Sequence, residues 1–490
     1  MSYGYVPEEL RLTDLDLMLA PGEFLVLTGP SGSGKTTITR LINGLIPHYY
    51  EGVLIGQVQV GGLTPGQNTL WELPVGSVFQ NPRTQFFTTD VVSEIAFGAE
   101  NLGLPTSEIW ERVNHATEQF ALEKLRGRSV FALSGGEKQR LACASVAAVK
   151  PSIYVLDEPS ANLDQASTEQ LRAIMAQWKA SGASVVVAEH RLGYLRELAD
   201  RVMVLEGGRV HAMWSGAEFR GFSSDYLHSL GLRTAGGKPP ALPSGNLPDA
   251  VIEISRLVCR HRSQRIPGIS VTQDNPPAVQ MAQLQVAQGQ VTALLGANGA
   301  GKTTFAHWLA GLRRDPGQLL VAGRVWSQAE RRRRVFLVLQ DVNLQLFTES
   351  VREEVALALD LGRGKRGRQR SVGRRHGRGV AVIDTPPEDA VAEILADLDL
   401  MAVADRHPLA LSSGQKQRVA VAAALASGRE MIVLDEPTSG LDWMQMQNVA
   451  QALRKLASVG RTVIVATHDL DLVEAAADQV VHLEQGQVVG

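Results

Sequence analysis

The feature that most constrains this chain is an internal duplication. GPSGSGKTT at 29–37 returns as GANGAGKTT at 296–304, LSGGEKQR at 133–140 as LSSGQKQR at 411–418, and VLDEPSANLD at 155–164 as VLDEPTSGLD at 433–442. The pairs Ser134 and Ser412, and Asp157 and Asp435, are each separated by the same 278 residues. A repeat of this length, with its landmarks in one order, predicts two copies of one folding unit.

The repeat divides the chain into two domains of ordinary size. We predict a first domain over 1–221, a linker over 222–250 that is rich in Pro, Gly and Ser, and a second domain over 251–490. The second copy contains an additional basic, Gly-rich insert at about 361–379. We interpret this insert as a solvated loop rather than a nucleic-acid site.

Composition excludes several classes of protein. The formal net charge of −3 gives no overall bias toward polyanions, so we expect no nucleic-acid partner. Two cysteines are too few for a disulfide framework and suit a reducing cytosol. No apolar run approaches the roughly 20 residues that span a bilayer, and we expect no secretory leader.

Each copy alternates short apolar strands with helical stretches, which predicts an α/β fold with a mostly parallel sheet. EFLVLTG at 23–29 and QVTALLG at 290–296 are apolar runs that end in a Gly-rich turn. Two further apolar strands in each copy end in acidic or His residues. Ligands of open α/β sheets bind beyond the carboxyl ends of the strands, so these residues should converge on one crevice per copy.

The first repeated motif fits the phosphate-binding pattern G-x-x-x-x-G-K-[ST]. Its backbone N–H groups surround phosphates, and the helix that follows points its positive end at them. Lys35 and Lys302 should reach the β- and γ-phosphates, and Thr36 and Thr303 offer hydroxyls to Mg²⁺. The predicted nucleotide-binding residues are Gly29, Pro30, Ser31, Gly32, Ser33, Gly34, Lys35, Thr36 and Thr37, and Gly296, Ala297, Asn298, Gly299, Ala300, Gly301, Lys302, Thr303 and Thr304.

Adjacent carboxylates end the strand of the VLDE motif in each copy. Asp157 and Asp435 are predicted to hold Mg²⁺, which prefers oxygen ligands and keeps part of its hydration shell. Glu158 and Glu436 follow directly and can polarise the attacking water as general bases.

The second repeated motif predicts a helix start. Ser134 with Glu137, and Ser412 with Gln415, match the capping-box pattern S-x-x-[E/Q], and a capped helix start is also an anion site. Ser413 replaces a glycine in the second copy. If that position requires a positive φ, the replacement costs roughly 1–3 kcal/mol and weakens the grip on phosphate.

Together these motifs, with a final His in each copy, resemble the ABC ATPase family over nearly the whole chain. The resemblance implies two P-loop NTPase domains, each with a parallel sheet core, a helical subdomain that carries the signature motif, and an N-terminal antiparallel β subdomain. It implies head-to-tail pairing of the two domains, ATP hydrolysis, and the cofactors ATP and Mg²⁺. One implied site uses Lys35, Thr36, Gln80, Asp157, Glu158 and His190 with Ser412 and Gly414; the other uses Lys302, Thr303, Gln340, Asp435, Glu436 and His468 with Ser134 and Gly136. In these sets Thr36, Gln80, Asp157, Thr303, Gln340 and Asp435 surround the metal, and Glu158, Glu436, His190 and His468 are catalytic. The family also stacks an aromatic residue on adenine, for which Tyr5 is the candidate.

The segment after Gln80 narrows the resemblance. QNPRTQFFTTDVVSEIAFG at 80–98 is similar to the ATPases of energy-coupling factor (ECF) transporters, and a weaker counterpart begins at Gln340. Phe86 and Phe87 suit core packing by residue type, but their position favours an exposed surface. This resemblance implies a transmembrane coupling subunit, a small substrate-binding membrane subunit, and a peripheral location on the cytoplasmic face of the cell membrane.

The leading hypothesis from the sequence is the ATPase of an ECF-type importer for a vitamin or related micronutrient. One alternative is the fused ATPase of a sugar-type ABC importer, although both copies here keep the Glu and the His. Another is a soluble tandem ABC protein that acts on ribosomes or nucleic acid. The short linker and the acidic balance of charge argue against the last of these.

Overall fold

The computed structural model describes residues 1–6, 9–234, 251–260, 277–363 and 388–489. The chain forms two compact units, Met1–Gly236 with Gly440–Trp443, and Gly237–Ser439 with Met444–Gly490. Each unit has its own buried apolar core.

The first unit contains eight strands and eight α-helices among its described residues. The strands are β1 Ser2–Gly4, β2 Phe24–Thr28, β3 Val53–Ile55, β4 Val75–Val78, β5 Ile153–Asp157, β6 Ser184–Ala188, β7 Arg201–Glu206 and β8 Arg209–Ser215. The helices are α1 Lys35–Ile42, α2 Leu45–His48, α3 Val91–Asn101, α4 Thr106–Gln119, α5 Gly135–Ala148, α6 Gln165–Ala180, α7 Gly216–Gly221 and α8 Ser224–Ser229.

A six-stranded sheet in the order β4-β5-β6-β2-β7-β8 forms the centre of this unit. Its first five strands are parallel and β8 is antiparallel. Strands β2 and β6 are buried along their whole length, as near-continuous apolar runs require when helices cover both faces. The carboxyl ends of β2, β5 and β6 therefore place the Gly-rich loop, the acidic pair and the His at one edge of the sheet.

The second unit repeats this architecture. Its strands are β9 Val251–Cys259, β10 Val279–Ala287, β11 Val291–Leu295, β12 Gln318–Val321, β13 Arg324–Val325, β14 Val335–Val338, β15 Met431–Asp435, β16 Thr462–Thr467, β17 Gln479–Glu484 and β18 Gln487–Val489. Its helices are α9 Lys302–Leu309, α10 Gln328–Arg334, α11 Val351–Arg363, α12 Glu388–Asp397, α13 Ser413–Ala426, α14 Trp443–Ser458 and α15 Leu470–Ala476. The central sheet follows the order β14-β15-β16-β11-β17-β18, which matches the first unit strand for strand.

Both units have an antiparallel sheet near their start, but the two sheets differ in size. In the first unit the described residues form a two-stranded sheet of β1 and β3. In the second unit β10, β9, β12 and β13 form a four-stranded sheet. The predicted fold class, two tandem α/β domains with mostly parallel sheets, is confirmed.

The predicted linker over 222–250 is only partly described. Within it, α8 forms a helix, Leu227 is buried, and Arg233 is bridged to Arg191 of the first unit. The structure does not describe residues 235–250. It describes the insert only at 361–363, the end of α11, so 364–379 lie outside the described residues. No described helix is both long enough and apolar enough to cross a membrane.

Candidate active sites

The first phosphate loop connects β2 to α1. The Nζ of Lys35 donates hydrogen bonds to the carbonyls of Gly29 at 2.8 Å and Pro30 at 2.9 Å. The lysine is almost fully buried, and this burial lowers its pKa, although the charge of Glu158 opposes the shift. A buried ammonium at the start of a helix, surrounded by loop carbonyls, is a site prepared for anionic oxygen atoms.

The glycines of this loop are required by close approach. A Cβ on Gly29, whose φ is +132°, would lie 2.0 Å from the carbonyl oxygen of Leu205 on β7. Gly34 has a φ of +104° at the N-cap of α1, where a Cβ would lie 2.5 Å from Leu12. The backbone can therefore curve tightly into α1 only if these positions are glycine.

The second phosphate loop repeats this geometry. Lys302 Nζ donates to the Gly296 carbonyl at 2.6 Å and the Ala297 carbonyl at 3.3 Å. Gly301 is the left-handed N-cap of α9, with a φ of +102°. Lys302 also lies 3.6 Å from a carboxylate oxygen of Glu436.

The predicted metal-binding residues come together in both units. Thr36 Oγ1 donates to Asp157 Oδ1 at 3.3 Å, and the Thr303 hydroxyl lowers the pKa of Asp435 in the second unit. Burial raises the pKa of both aspartates to about 6, and in Asp157 the charge of Glu158 adds to this effect. The Oδ1 atom of Asp435 is buried without a hydrogen-bond partner. A buried carboxylate oxygen in need of a positive partner, beside a threonine hydroxyl, suits a hydrated Mg²⁺.

Glu158 lies against the predicted His of the same unit. An oxygen of Glu158 is 3.3 Å from His190 Nε2, and the other accepts a hydrogen bond from Gln80 Nε2 at 2.6 Å. Burial alone would raise the pKa of Glu158, but His190, Lys35 and Gln80 together outweigh it, so the net pKa is lowered. Glu158 also has a φ of +44°, an uncommon conformation that points to a functional constraint.

Glu436 has the equivalent position in the second unit. His468 Nδ1 is 2.8 Å from Glu436 Oε1, and Thr467 Oγ1 donates to Oε2 at 3.1 Å. The φ of Glu436 is +52°, close to that of Glu158. Gln340, however, is exposed, whereas Gln80 is half-buried against its Glu. The two sites share their acidic and His groups but differ in the contacts around the base.

The geometry of both sites agrees with the comparison to known families. The ABC transporter family matches residues 12–161 and again residues 279–439. The chain belongs to this family. It is an ATP-binding ABC protein with two ATPase domains, as the resemblance predicted.

Similar ABC proteins align with nearly its whole length. One, from Treponema denticola, is 38% identical over 98% of this chain and 94% of its own, and its name gives it as a candidate ABC transporter ATP-binding protein. Another with the same name, from Methanosarcina acetivorans, is 34% identical over 100% of this chain and 84% of its own.

Solved structures share the tandem ABC fold at lower identity. An RNase-L inhibitor is 21% identical, with a TM-score of 0.60 over 96% of this chain and 86% of its own. An archaeal ribosome recycling factor, solved with a ribosomal stalk protein, gives 21% and 0.57 over the same shares. At this identity the likeness concerns the fold alone.

The ABC signature motifs begin helices α5 and α13 with capping boxes, as predicted. Ser134 Oγ accepts from the N–H of Glu137 at 3.3 Å, and Glu137 accepts from the N–H of Ser134 at 2.7 Å. Ser412 and Gln415 form the same pair of bonds, at 3.3 Å and 3.0 Å.

The two glycines of the first signature differ in the space available for a side chain. A Cβ on Gly136 would lie 2.6 Å from Ser167 Oγ, whereas one on Gly135 would meet nothing closer than 3.9 Å. Gly135 is the first residue of α5, and Ser413 is the first residue of α13. This position is helical, so the expected penalty for Ser413 from a positive φ does not apply.

A buried carboxylate shapes the turn that follows Gln80. Glu94 Oε2 accepts from the N–H of Phe87 at 3.0 Å and from the Thr88 hydroxyl at 2.8 Å. Phe87 is 73% exposed, as its position predicted, and stacks on Phe97 at 4.8 Å. Phe86 instead packs against the core.

The second unit contains the same turn. Glu354 accepts from the N–H of Phe347 at 3.1 Å and from the Thr348 hydroxyl at 2.9 Å, and Phe347 is 74% exposed. An exposed apolar residue, Phe131 or Leu409, precedes the signature in each unit. We refer to Phe87 with Phe131, and to Phe347 with Leu409, as the apolar rims of the two units.

Tyr5, the candidate for adenine stacking, is connected to the helix that follows the first phosphate loop. Arg40 on α1 donates to the Tyr5 hydroxyl at 2.9 Å, and its guanidinium lies 4.1 Å above the ring of Tyr50. The assignment of Tyr5 to adenine stays a prediction.

Several polar groups beside the two His residues have no role in the predictions from the sequence. These are Glu189, Ser160 and Tyr194 in the first unit, and Thr438, Thr467 and Asp469 in the second. The available signal was an acidic residue adjacent to each His, before it in one copy and after it in the other.

The raised pKa of Asp435 leads to a prediction about stability. An ionised, buried Asp435 lowers the free energy of unfolding at neutral pH, so we expect Asp435→Asn to stabilise the nucleotide-free protein by about 1–3 kcal/mol. This gain should be fully present above pH 6 and decline as the pH falls from about 6 to 3.8, because the folded protein takes up the proton first. Thermal unfolding of both proteins across this pH range measures it. The exposed Asp16→Asn should show no such difference, and a gain independent of pH would contradict the account.

Proposed function

We propose that this protein is the ATP-hydrolysing subunit of an ECF-type ABC importer, bound peripherally to the cytoplasmic face of the membrane. The proposed cargo class is a vitamin or related micronutrient, and the proposed partners are a transmembrane coupling subunit and a small substrate-binding membrane subunit. The observation that carries the proposal is a turn that occurs in both units. It begins at a glutamine and exposes a phenylalanine, Phe87 or Phe347, seven residues later. In the first unit, that glutamine, Gln80, contacts the candidate base Glu158.

The contacts around Glu158 give a route from the nucleotide to the surface. Gln80 bonds Glu158 at one end of the turn, and Phe87 is exposed at the other, seven residues later. Glu94 accepts hydrogen bonds from the N–H groups of Phe87 and Thr88 and so fixes the end of the turn that exposes Phe87. A partner helix laid on the apolar rim would therefore respond to the state of the nucleotide.

Within each site we propose one role for each group of residues. Lys35 and Lys302 bind the β- and γ-phosphates, and the N–H groups of the two loops surround them. Glu158 and Glu436 orient water and accept its proton, while His190 and His468 hold these carboxylates in place. Thr36 with Asp157, and Thr303 with Asp435, would hold Mg²⁺, which when bound neutralises charge on the phosphate oxygens.

We further propose that the two copies pair head to tail. Ser412 and Gly414 would complete the site of Lys35, and Ser134 and Gly136 the site of Lys302. The capped N-termini of α5 and α13, as anion sites, support this arrangement. ATP would then join the copies, and its hydrolysis would release them.

Replacing the exposed aromatic residues tests the transport proposal. We expect Phe87→Ser with Phe347→Ser to reduce recovery of a transmembrane partner by at least about tenfold, because buried aromatic anchors contribute 2 kcal/mol or more to interfaces. Affinity purification from detergent-solubilised membranes, with quantitative mass spectrometry, measures the recovery. The matched control is Met18→Ser with Trp71→Ser. These two residues lie in the first unit and are 83% and 76% exposed. Equal recovery with both pairs of substitutions would contradict the role of the rims.

The second candidate is a tandem ABC protein that acts on ribosomes. The likeness to an archaeal ribosome recycling factor motivates its test, although that likeness concerns the fold. Sedimentation of the protein through sucrose gradients with ribosomes, with ATP and without it, separates the two candidates. ATP-dependent co-sedimentation together with no membrane partner would favour the ribosomal role.

A further inference from the structure

A buried carboxylate, Glu189, lies directly before His190 in the first unit. It is 2% exposed, and its two oxygens accept hydrogen bonds from two separate segments. Oε2 accepts from the Ser160 hydroxyl at 2.7 Å and from the Tyr194 hydroxyl at 2.9 Å. Oε1 accepts from the N–H groups of His190 at 2.8 Å and Arg191 at 3.2 Å.

These bonds join the segment that carries the candidate base to the segment that carries the His. Ser160 is two residues after Glu158, and its own N–H also points to Glu189, at 3.3 Å. One carboxylate thus connects the turn after β5 to the turn after β6. The 3.3 Å separation of His190 from Glu158 depends on how these two turns are aligned.

The second unit makes the same connection from the other side of its His. Position 467, which matches Glu189, is a threonine, and the carboxylate is instead Asp469, directly after His468. Asp469 is 2% exposed and accepts from the hydroxyl of Thr438, the counterpart of Ser160. The acidic residue has changed its place in the sequence, while the bond between the two turns is retained.

We propose that Glu189 and Asp469 are equivalent positioning residues, which align the His with the base for ATP hydrolysis. This inference rests on the proposed roles of Glu158 and Glu436. A requirement for alignment explains why both copies hold a buried carboxylate here although its sequence position differs. Asp469 also caps the N-terminus of α15 by accepting from the N–H of Leu472, but that cap does not require the additional bond to Thr438 on the other turn.

The carboxylate itself is needed because it only accepts hydrogen bonds. In the first unit its partners are all donors, two hydroxyls and three N–H groups. A glutamine has one oxygen in place of two. Its NH₂ group would either face N–H groups, which cannot accept, or require both hydroxyls to accept instead of donate, and the N–H of Ser160 would then lose its acceptor. Displacement by about 1 Å at a reacting group can reduce turnover by up to about 100-fold.

The test uses the full chain with both connections altered, Glu189→Gln with Asp469→Asn. We expect kcat for ATP hydrolysis to fall about tenfold while KM for ATP changes less than about twofold, since the phosphate loops are untouched. A purely structural role predicts a lower melting temperature with kcat unchanged below it, and that result would overturn the inference. If this variant does not fold, Ser160→Ala with Thr438→Val removes only the hydroxyl donors and should lower kcat about threefold.

A second experiment moves the carboxylate of the first unit from position 189 to position 191 and asks whether kcat recovers. In an Asp469→Asn background, Glu189→Thr should lower kcat, and the further change Arg191→Asp should restore at least about half of the loss, because it places the carboxylate where the second copy has it. No recovery in a folded protein would overturn the equivalence.

Failure of the proposed function remains distinguishable. If Glu158→Gln with Glu436→Gln still hydrolyses ATP at the parental rate, the assignment of the bases is wrong. If that variant is inactive while Glu189→Gln with Asp469→Asn keeps the parental kcat, only the positioning role is wrong.

Discussion

Replacing both candidate bases, Glu158→Gln with Glu436→Gln, should lower kcat for ATP hydrolysis by about 100-fold or more. General-base assistance contributes about 10² to 10⁴ in rate, and the amide cannot accept the proton from water. Gln80 and His190 contact Glu158, and His468 and Thr467 contact Glu436, so each glutamine retains hydrogen-bond partners in its place. Affinity for ATP should therefore persist, and nucleotide should accumulate unhydrolysed on the protein.

Steady-state phosphate release and equilibrium binding of a fluorescent ATP analogue measure the two quantities. The control is Glu123→Gln, which replaces an exposed glutamate of the first unit and should keep the parental rate. Turnover near the parental rate in the double variant would show that another group activates the water.

The second large effect concerns binding. We expect Lys35→Ala with Lys302→Ala to weaken ATP binding by about 10- to 100-fold, since a hydrogen bond from a charged donor contributes about 1.5–3 kcal/mol. Both lysines are more than nine-tenths buried and bonded to the carbonyls of their own loops. The loops that hold Lys35 and Lys302 in place thus present them to the phosphates.

Isothermal titration with a non-hydrolysable ATP analogue measures this loss. The exposed Lys124→Ala should bind as the parent does, which separates the loss of a phosphate contact from a general change of charge. Unchanged affinity in the double lysine variant, with its fold retained, would contradict the assignment of the loops.

Local sequence predicted the parts of the sites that depend on neighbouring residues. The phosphate loops, the capping boxes at Ser134 and Ser412, and the acidic pairs at strand ends each follow from a short pattern, because a few residues close these turns. The strain considered at Ser413 depended on a positive φ, and that condition is not met. The capping box at Ser134 already makes Gly135 the first residue of a helix, where no positive φ is needed, and the same holds for position 413.

Features that depend on tertiary contacts were harder to predict. The bond between Glu189 and Ser160 joins residues 29 positions apart through the pairing of β5 and β6, and its counterpart uses a different sequence position. Phe86 and Phe87 are adjacent and chemically identical, yet one packs against the core and the other is exposed. The N–H of Phe87 donates to Glu94 and its ring stacks on Phe97, contacts that the residue type does not reveal.

The central claim is that each ATP is held by groups from both copies of the repeat. A cryo-electron microscopy structure of the Glu158→Gln, Glu436→Gln variant with Mg²⁺ and ATP tests it most directly. The account predicts that the γ-phosphate bound by Lys35 also accepts a hydrogen bond from Ser412, at about 3 Å. A structure in which both sites hold ATP while Ser412 and Ser134 remain far from either γ-phosphate would contradict it.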